Sequence, residues 1–256
     1  MDSRRITFVN PNSGHQLAGI IDQPAQDRPL AWVLFAHCFT CGKSLKSMRH
    51  MSKGLTGKGM GVLRFDFTGL GESQGNFADS SLSSNVDDLL AAARWLTQEH
   101  QPPAILIGHS FGGAAVLQAA AQLAEVRAVV TIAAPFDPQH VRHLFKDALT
   151  DIETTGAAQV EIAGRTFTIG AQFIHDLASH RSAERIRNLG RPLLVLHAPE
   201  DPVVAIDNAR LIYQAARHPK SFVSLDHTDH LLSRTADALY VGELVATWAA
   251  RYLERS

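Results

Sequence analysis

The sequence predicts an α/β protein, a mostly parallel eight-stranded sheet with helices on both faces and a small inserted lid. Three observations predict it. Short apolar runs alternate with amphipathic helical stretches along nearly the whole chain. Two strand-like segments at the N-terminus flank a turn-rich run and form an antiparallel edge. One interruption, at about residues 136–190, is too long for a plain connection and too short for a core of its own.

Residues 6–9 and 16–21 flank Asn10-Pro11-Asn12-Ser13-Gly14 and read as a hairpin. Residues 31–36 (AWVLFA) are a short apolar run suited to a strand buried on both faces. Residues 44–57 carry Leu45, Met48, Met51 and Leu55 at helical spacing. Residues 61–67 read as the next strand. Residues 82–98 put Val86, Leu89, Leu90, Ala93 and Leu96 on one helical face. A strand at 103–108, an alanine-rich helix at 111–123 and a strand at 126–133 follow. The interruption holds a helical stretch at 139–152, an alternating pattern at 160–169 that turns at Gly164, and a helical stretch at 171–189. Its place in the chain suggests a lid over the carboxyl ends of the strands. The alternation then resumes with strand 192–197, helix 206–216, strand 221–225 and a closing helix at 236–253. No internal repeat or low-complexity linker breaks the pattern, so residues 1–256 read as a single domain.

Composition narrows the function. The chain has 256 residues, 45% of them hydrophobic and 19% charged, which suits one globular domain with a sizeable core. A net charge of -1 lacks the basic excess of a nucleic-acid binder. No apolar run approaches the roughly 20 residues that cross a bilayer, so no membrane partner is expected. Met1-Asp2-Ser3-Arg4-Arg5 leads into a β-like stretch rather than an apolar signal core, and the expected compartment is the cytoplasm.

The strongest local signal is Gly108-His109-Ser110-Phe111-Gly112-Gly113, a G-x-S-x-G pattern between a buried-type strand and a helix. Such a tight turn holds the serine in strained backbone geometry, and glycines remove Cβ atoms that would collide there. A serine hydroxyl needs a general base to become a nucleophile. On strand–turn–helix scaffolds of this kind the acid and then the histidine follow the serine in chain order. Asp201, in the loop after strand 192–197, is the acid candidate, with Glu200 a close competitor and Asp207 a distant one. His230, after the last strand, is the base candidate, and His227 its rival. With 13 histidines in the chain, it is the place in chain order that carries the signal. The oxyanion needs two donors. Phe111 N–H is one, and the loop His37-Cys38-Phe39-Thr40-Cys41-Gly42 supplies the other, with Phe39 chosen over Cys38. Cys38, His109, His140 and His143 are expected to line the substrate pocket.

Other features have competing readings. Cys38 and Cys41 form a C-x-x-C, which can mean redox work or half a metal site, but no thioredoxin-like context or further ligands accompany it. The plainer reading is two small side chains in a tight loop, although a thiol beside an oxyanion hole is open to oxidation. Asp66-Phe67-Thr68-Gly69-Leu70-Gly71-Glu72-Ser73 reads as a structural turn, since it lacks the P-loop pattern. His140 and His143 have the spacing of paired metal ligands without a third, so no metal and no cofactor is expected.

Together these motifs resemble the α/β-hydrolase family along nearly the whole chain, and 66–73 resembles the D-x-x-G-x-G-x-S turn of many members. A narrower likeness rests on His37-Cys38-Phe39-Thr40-Cys41, on residues 64–71, on 108–117 and on 218–226. These resemble the hydrolase half of bacterial fusions with a C-terminal OsmC-type peroxide-reducing domain. The resemblance implies esterase activity on small acyl or aryl esters. The sequence departs from those fusions by stopping at Ser256, which leaves two expectations open: a covalent C-terminal OsmC-type partner domain in a longer protein, or a stand-alone relative. The expected function is therefore a serine hydrolase cleaving small to medium carboxylic esters through an acyl-enzyme. A serine aminopeptidase or amidase on the same scaffold is the alternative, since Asp147, Asp151, Glu153 and Asp176 of the lid could hold a substrate amine. Dehalogenase or epoxide hydrolase chemistry would place Asp at position 110. A ligand-binding module with a vestigial triad is the non-enzymatic alternative. The substrate's acyl and alcohol parts and the oligomeric state are left open.

Overall fold

A computed structural model describes residues 1–25 and 28–253. The last residues of the expected domain, 254–256, lie outside the described part. Eight strands form one sheet: β1 (Asp2–Val9), β2 (Gln16–Gln23), β3 (Trp32–Ala36), β4 (Gly61–Phe65), β5 (Pro103–His109), β6 (Ala128–Ile132), β9 (Leu193–His197) and β10 (Lys220–Ser224), in the order β1-β2-β4-β3-β5-β6-β9-β10. From β4 to β10 every pairing is parallel, and β2 pairs antiparallel with both β1 and β4. Parallel neighbours need crossover connections, and these bring the helices onto both faces.

Strand periodicity sorts the core into two layers. On β3, Trp32, Leu34 and Ala36 join one layer, while Val33 and Phe35 join the other. The first layer packs against α2 (Leu82–Glu99), α3 (Phe111–Ala119) and the inserted segment, and α7 (Asp207–Ala215) adds Ala209 and Ile212. The second layer packs against α1 (Lys46–Gly57) and α8 (Thr235–Leu253), through Met48, Met51, Leu55, Val241 and Val245. Central strands buried on both sides explain the unbroken apolar runs. No helix among the described residues is long and apolar enough to cross a membrane.

The inserted segment between β6 and β9 departs from expectation in detail. The expected helix at 139–152 is a 3₁₀ stretch, Pro138–Ala148, running into α4 (Leu149–Thr155), with non-helical backbone at Phe145. That break accompanies burial of the Phe145 ring, so tertiary packing overrides helical periodicity there. The alternating pattern becomes an antiparallel hairpin, β7 (Ala157–Ile162) and β8 (Arg165–Gly170), separate from the main sheet. The expected helix at 171–189 divides into α5 (Ala171–Ser179) and α6 (Ser182–Arg187). At the break the Ser179 hydroxyl bonds back to the Asp176 carbonyl, and His180 adopts extended backbone.

Candidate active site

Three strand ends converge at the carboxyl edge of the sheet. Ser110 follows β5 directly and opens α3 with φ 54° and ψ -123°, a conformation most side chains avoid. Its N–H is held by the carbonyl of Ile132 on the neighbouring strand. The flanking glycines make the turn possible. A Cβ on Gly108 would overlap the backbone of Gly112, and one on Gly112 would overlap the carbonyls of Ala36 and His37. This close approach seats the loop after β3 beside the serine.

His230 bridges the serine and the acid. Its Nε2 lies 3.1 Å from Ser110 Oγ, and its Nδ1 lies 2.8 Å from Asp201 Oδ2. Asp201 Oδ1 accepts the N–H groups of Val203 and Val204 at 2.8 and 2.9 Å. Burial alone pushes the Asp201 carboxyl up, but the His230 contact and the two N–H bonds outweigh it and hold it below the usual carboxylate range. Asp201 and His230 are both buried, whereas Glu200 is exposed and His227 occupies a left-handed backbone position on the surface. The structure thus brings together the three residues chosen from chain order and leaves out their rivals.

Phe39, in the loop after β3, and Phe111, the first residue of α3, bring their rings to 5.2 Å of each other. Among the described residues neither backbone N–H meets an acceptor, although both side chains are buried. Two such donors beside a hydroxyl–imidazole–carboxylate chain suit an incoming carbonyl oxygen.

Two layers hold the Phe39 loop. Beneath it lies a buried ionic network that the sequence reading missed. The Asp22 carboxylate meets Arg64 Nε at 2.7 Å, and Arg64 also donates to the Lys43 carbonyl. The Lys43 ammonium meets Asp66 at 2.5 Å and Glu72 at 2.6 Å. Asp66 also takes the N–H groups of Lys43 and Glu72, which gives the glycine-bearing turn at 66–73 its structural role. Above the loop, Phe39 packs on Phe77, Phe145 and Phe173 at ring-centroid distances of 5.3, 6.4 and 5.1 Å. Arg165 of the inserted hairpin donates to the Thr40 carbonyl at 3.2 Å.

Four expected pocket residues are placed differently. His109 is buried, and its Nε2–H donates to the His230 carbonyl at 2.7 Å, so it supports the catalytic-type histidine from behind. Two more buried histidines act alike. His37 donates Nδ1–H to the Cys38 carbonyl at 2.7 Å, and His197 donates Nε2–H to the Val204 carbonyl at 2.7 Å. Desolvation keeps all three neutral by lowering their affinity for a proton, His109 to about 4. Each stands at or just past the end of a parallel strand, a position that could have drawn notice. His140 Nε2–H donates to the Val203 carbonyl at 3.1 Å, and His143 Nδ1–H donates to the His140 carbonyl, so both rings serve the insert's own attachment. Cys38 is not a free pocket thiol. It is joined to Cys41 in a disulfide across a turn whose Cα atoms are 5.3 Å apart, within the span a disulfide bridges. Among the described residues no group of three or more His, Cys, Asp or Glu side chains is arranged to hold a metal.

A doubly covered parallel sheet, a strained serine elbow and this residue order define the α/β-hydrolase class. The likeness to solved structures agrees. The esterase domain of a Rhodothermus marinus protein is 49% identical, with a TM-score of 0.83 over 99% of this chain and 100% of that one. Est1E of Butyrivibrio proteoclasticus, at 17% identity, shares the fold with a TM-score of 0.79 over 98% and 100% of the two chains. Within the class, the chain belongs to the serine aminopeptidase S33 family of hydrolases, whose model matches residues 27–165. Among curated relatives, the mitochondrial palmitoyl-protein thioesterase ABHD10 of Rattus norvegicus is 28% identical over 203 residues, 77% of this chain and 66% of that protein.

Proposed function

We propose that the chain is a serine esterase acting on small to medium carboxylic esters. The observation that carries the reading is the unbroken Ser110–His230–Asp201 chain beside two N–H groups without acceptors. Ser110 Oγ attacks the ester carbonyl carbon while His230 Nε2 takes the hydroxyl proton. Asp201 orients the imidazole and balances its charge. The carbonyl oxygen, now negative, lies against the N–H groups of Phe39 and Phe111. Collapse of this intermediate breaks the bond to the alcohol, which leaves with the proton from His230. Water, deprotonated by the same histidine, then releases the acid and restores Ser110.

The inserted segment acts as a lid, and its phenylalanines narrow the acyl side of the site. The 49% identical esterase domain supports an ester substrate.

Family membership favours a second reading, an aminopeptidase or amidase. A peptidase of that kind needs a carboxylate to receive the substrate's ammonium. Asp147, Asp151 and Glu153 are exposed, and Asp176 is engaged by Ser83 at 2.5 Å. That arrangement favours the ester reading.

The test is hydrolysis of p-nitrophenyl esters from acetate to palmitate, alongside a palmitoyl thioester and an aminoacyl p-nitroanilide, by wild type and Ser110→Ala. Turnover of short esters, with a loss of about 10³-fold or more in the variant, is expected. Preferred turnover of the thioester would move the assignment toward the ABHD10 relative's chemistry, and turnover of the anilide alone would favour the peptidase.

A further inference from the structure

The geometry points to the Cys38–Cys41 disulfide as a reducible site that sets the aim of the oxyanion loop, with a vicinal dithiol as its reaction partner. This rests on the ester reading above, because Phe39 matters here as an oxyanion donor. The disulfide closes a turn of four residues, Cys38-Phe39-Thr40-Cys41, and Phe39 lies inside it. The chain contains only these two cysteines, and both are used in this one turn.

Without the disulfide, few polar contacts fix the turn. One backbone bond closes it, Cys41 N–H to the Cys38 carbonyl at 3.3 Å, long for such a bond. His37 holds the Cys38 carbonyl from the sheet side, and Arg165 holds the Thr40 carbonyl from the insert. The aromatic contacts hold the Phe39 ring, but a ring can keep its place while its peptide N–H turns away from the serine. The covalent link restricts that rotation. An oxyanion donor acts at full strength only when it is aimed before the charge develops, so a loosened turn should weaken the transition state more than substrate binding.

The site is also accessible on one side. Cys38 is buried and Cys41 is half-buried, so an external thiolate meets the Cys41 sulfur first. Attack there forms a mixed disulfide with Cys41 and breaks the bond to Cys38, whose sulfur leaves with the electron pair and takes a proton from water. The partner's second thiol then attacks the mixed disulfide. It leaves oxidised as its own cyclic disulfide and frees the Cys41 thiol. Two electrons have moved from the dithiol to the protein, and reoxidation by a dithiol's disulfide form reverses each step.

The test uses the whole chain equilibrated in a series of reduced and oxidised dithiothreitol mixtures. Alkylation and mass measurement report the thiol state, unambiguous with two cysteines. Steady-state kinetics on p-nitrophenyl butyrate and the rate of fluorophosphonate labelling of Ser110 report the site. The expected result is a fall of about tenfold in kcat on reduction, with KM changed less than twofold, following the thiol titration. Cys41→Ser should sit at the reduced level in every mixture, and oxidant should restore the reduced wild type. Constant kcat while the thiols titrate overturns the proposal, as does a pair that stays alkylatable in the most oxidising mixture. A drop in kcat accompanied by an equal rise in KM and a lower melting temperature indicates general loosening and overturns it too. If no ester turns over in any mixture, the ester reading fails, and the coupling is then judged on labelling alone: a labelling rate that follows the thiols sustains it, and one that is constant or zero overturns it.

Discussion

His109 provides a quantitative check on how the site is supported. It is 1% exposed, and burial together with the nearby His230 lowers its folded-state pKa to about 4 from 6.5. Because the folded value lies below the unfolded one, the unfolded chain binds this proton more readily. The stability that the neutral ring contributes is complete above 6.5 and is lost as pH falls toward 4. Between pH 7 and pH 5 the linkage relation for one such group amounts to about 2 kcal/mol. For a chain of this size that corresponds to a fall of roughly 4–8 °C in melting temperature. Burial lowers the proton affinity of His37 and His197 as well, and they contribute with the same sign, so the informative measurement is a difference. His109→Gln retains an N–H that can donate to the His230 carbonyl but cannot take up a proton. Differential scanning fluorimetry of both proteins from pH 7 to 5 should show the variant losing several degrees less than wild type. Parallel curves would refute the assignment of His109 as a buried neutral donor.

Asp201→Asn should lower kcat by about 10³–10⁴-fold while leaving the melting temperature within a few degrees, because the amide misorients His230 without emptying the site; ester kinetics and fluorimetry check both halves. Because the folded-state affinity of Asp201 for a proton is depressed, its contribution to stability is present above the ordinary aspartate value and disappears only as pH falls below it, which acid titration of wild type against that variant would show. Lys43→Ala leaves Asp66 buried without its cation and should cost about 3–5 kcal/mol in urea unfolding. Phe173→Ala removes a ring that touches Phe39, Phe111 and Phe145; a loss of about 3–5 kcal/mol is expected, together with a shift of ester preference toward longer acyl chains.

The parallel sheet was legible because its strands are buried on both faces and therefore read as unbroken apolar runs. Ser110 was legible because a glycine-flanked turn between strand and helix is needed sterically, and Asp201 and His230 because chain order along such a sheet restricts where they can lie. What escaped has a common cause. Asp22, Arg64, Lys43 and Asp66 are charged residues that sequence pattern assigns to solvent, and only tertiary pairing across β2, β4 and two loops accounts for their burial. His37, His109 and His197 are single residues whose partners are backbone carbonyls, which carry no sequence signature. The break at Phe145 likewise accompanies packing of its ring against Phe39 and Phe173, contacts that local propensity does not encode.

The Phe39 loop lies between a charged floor drawn from the sheet and an aromatic roof drawn largely from the inserted segment. Floor and roof are therefore separately variable. Substitutions at Phe145 or Phe173 change the roof above Phe39, while the strand ends that hold Ser110, Asp201 and His230 belong to the sheet. A lineage, or a directed library, can in this way vary the roof while the Ser110–His230–Asp201 array stays where it is.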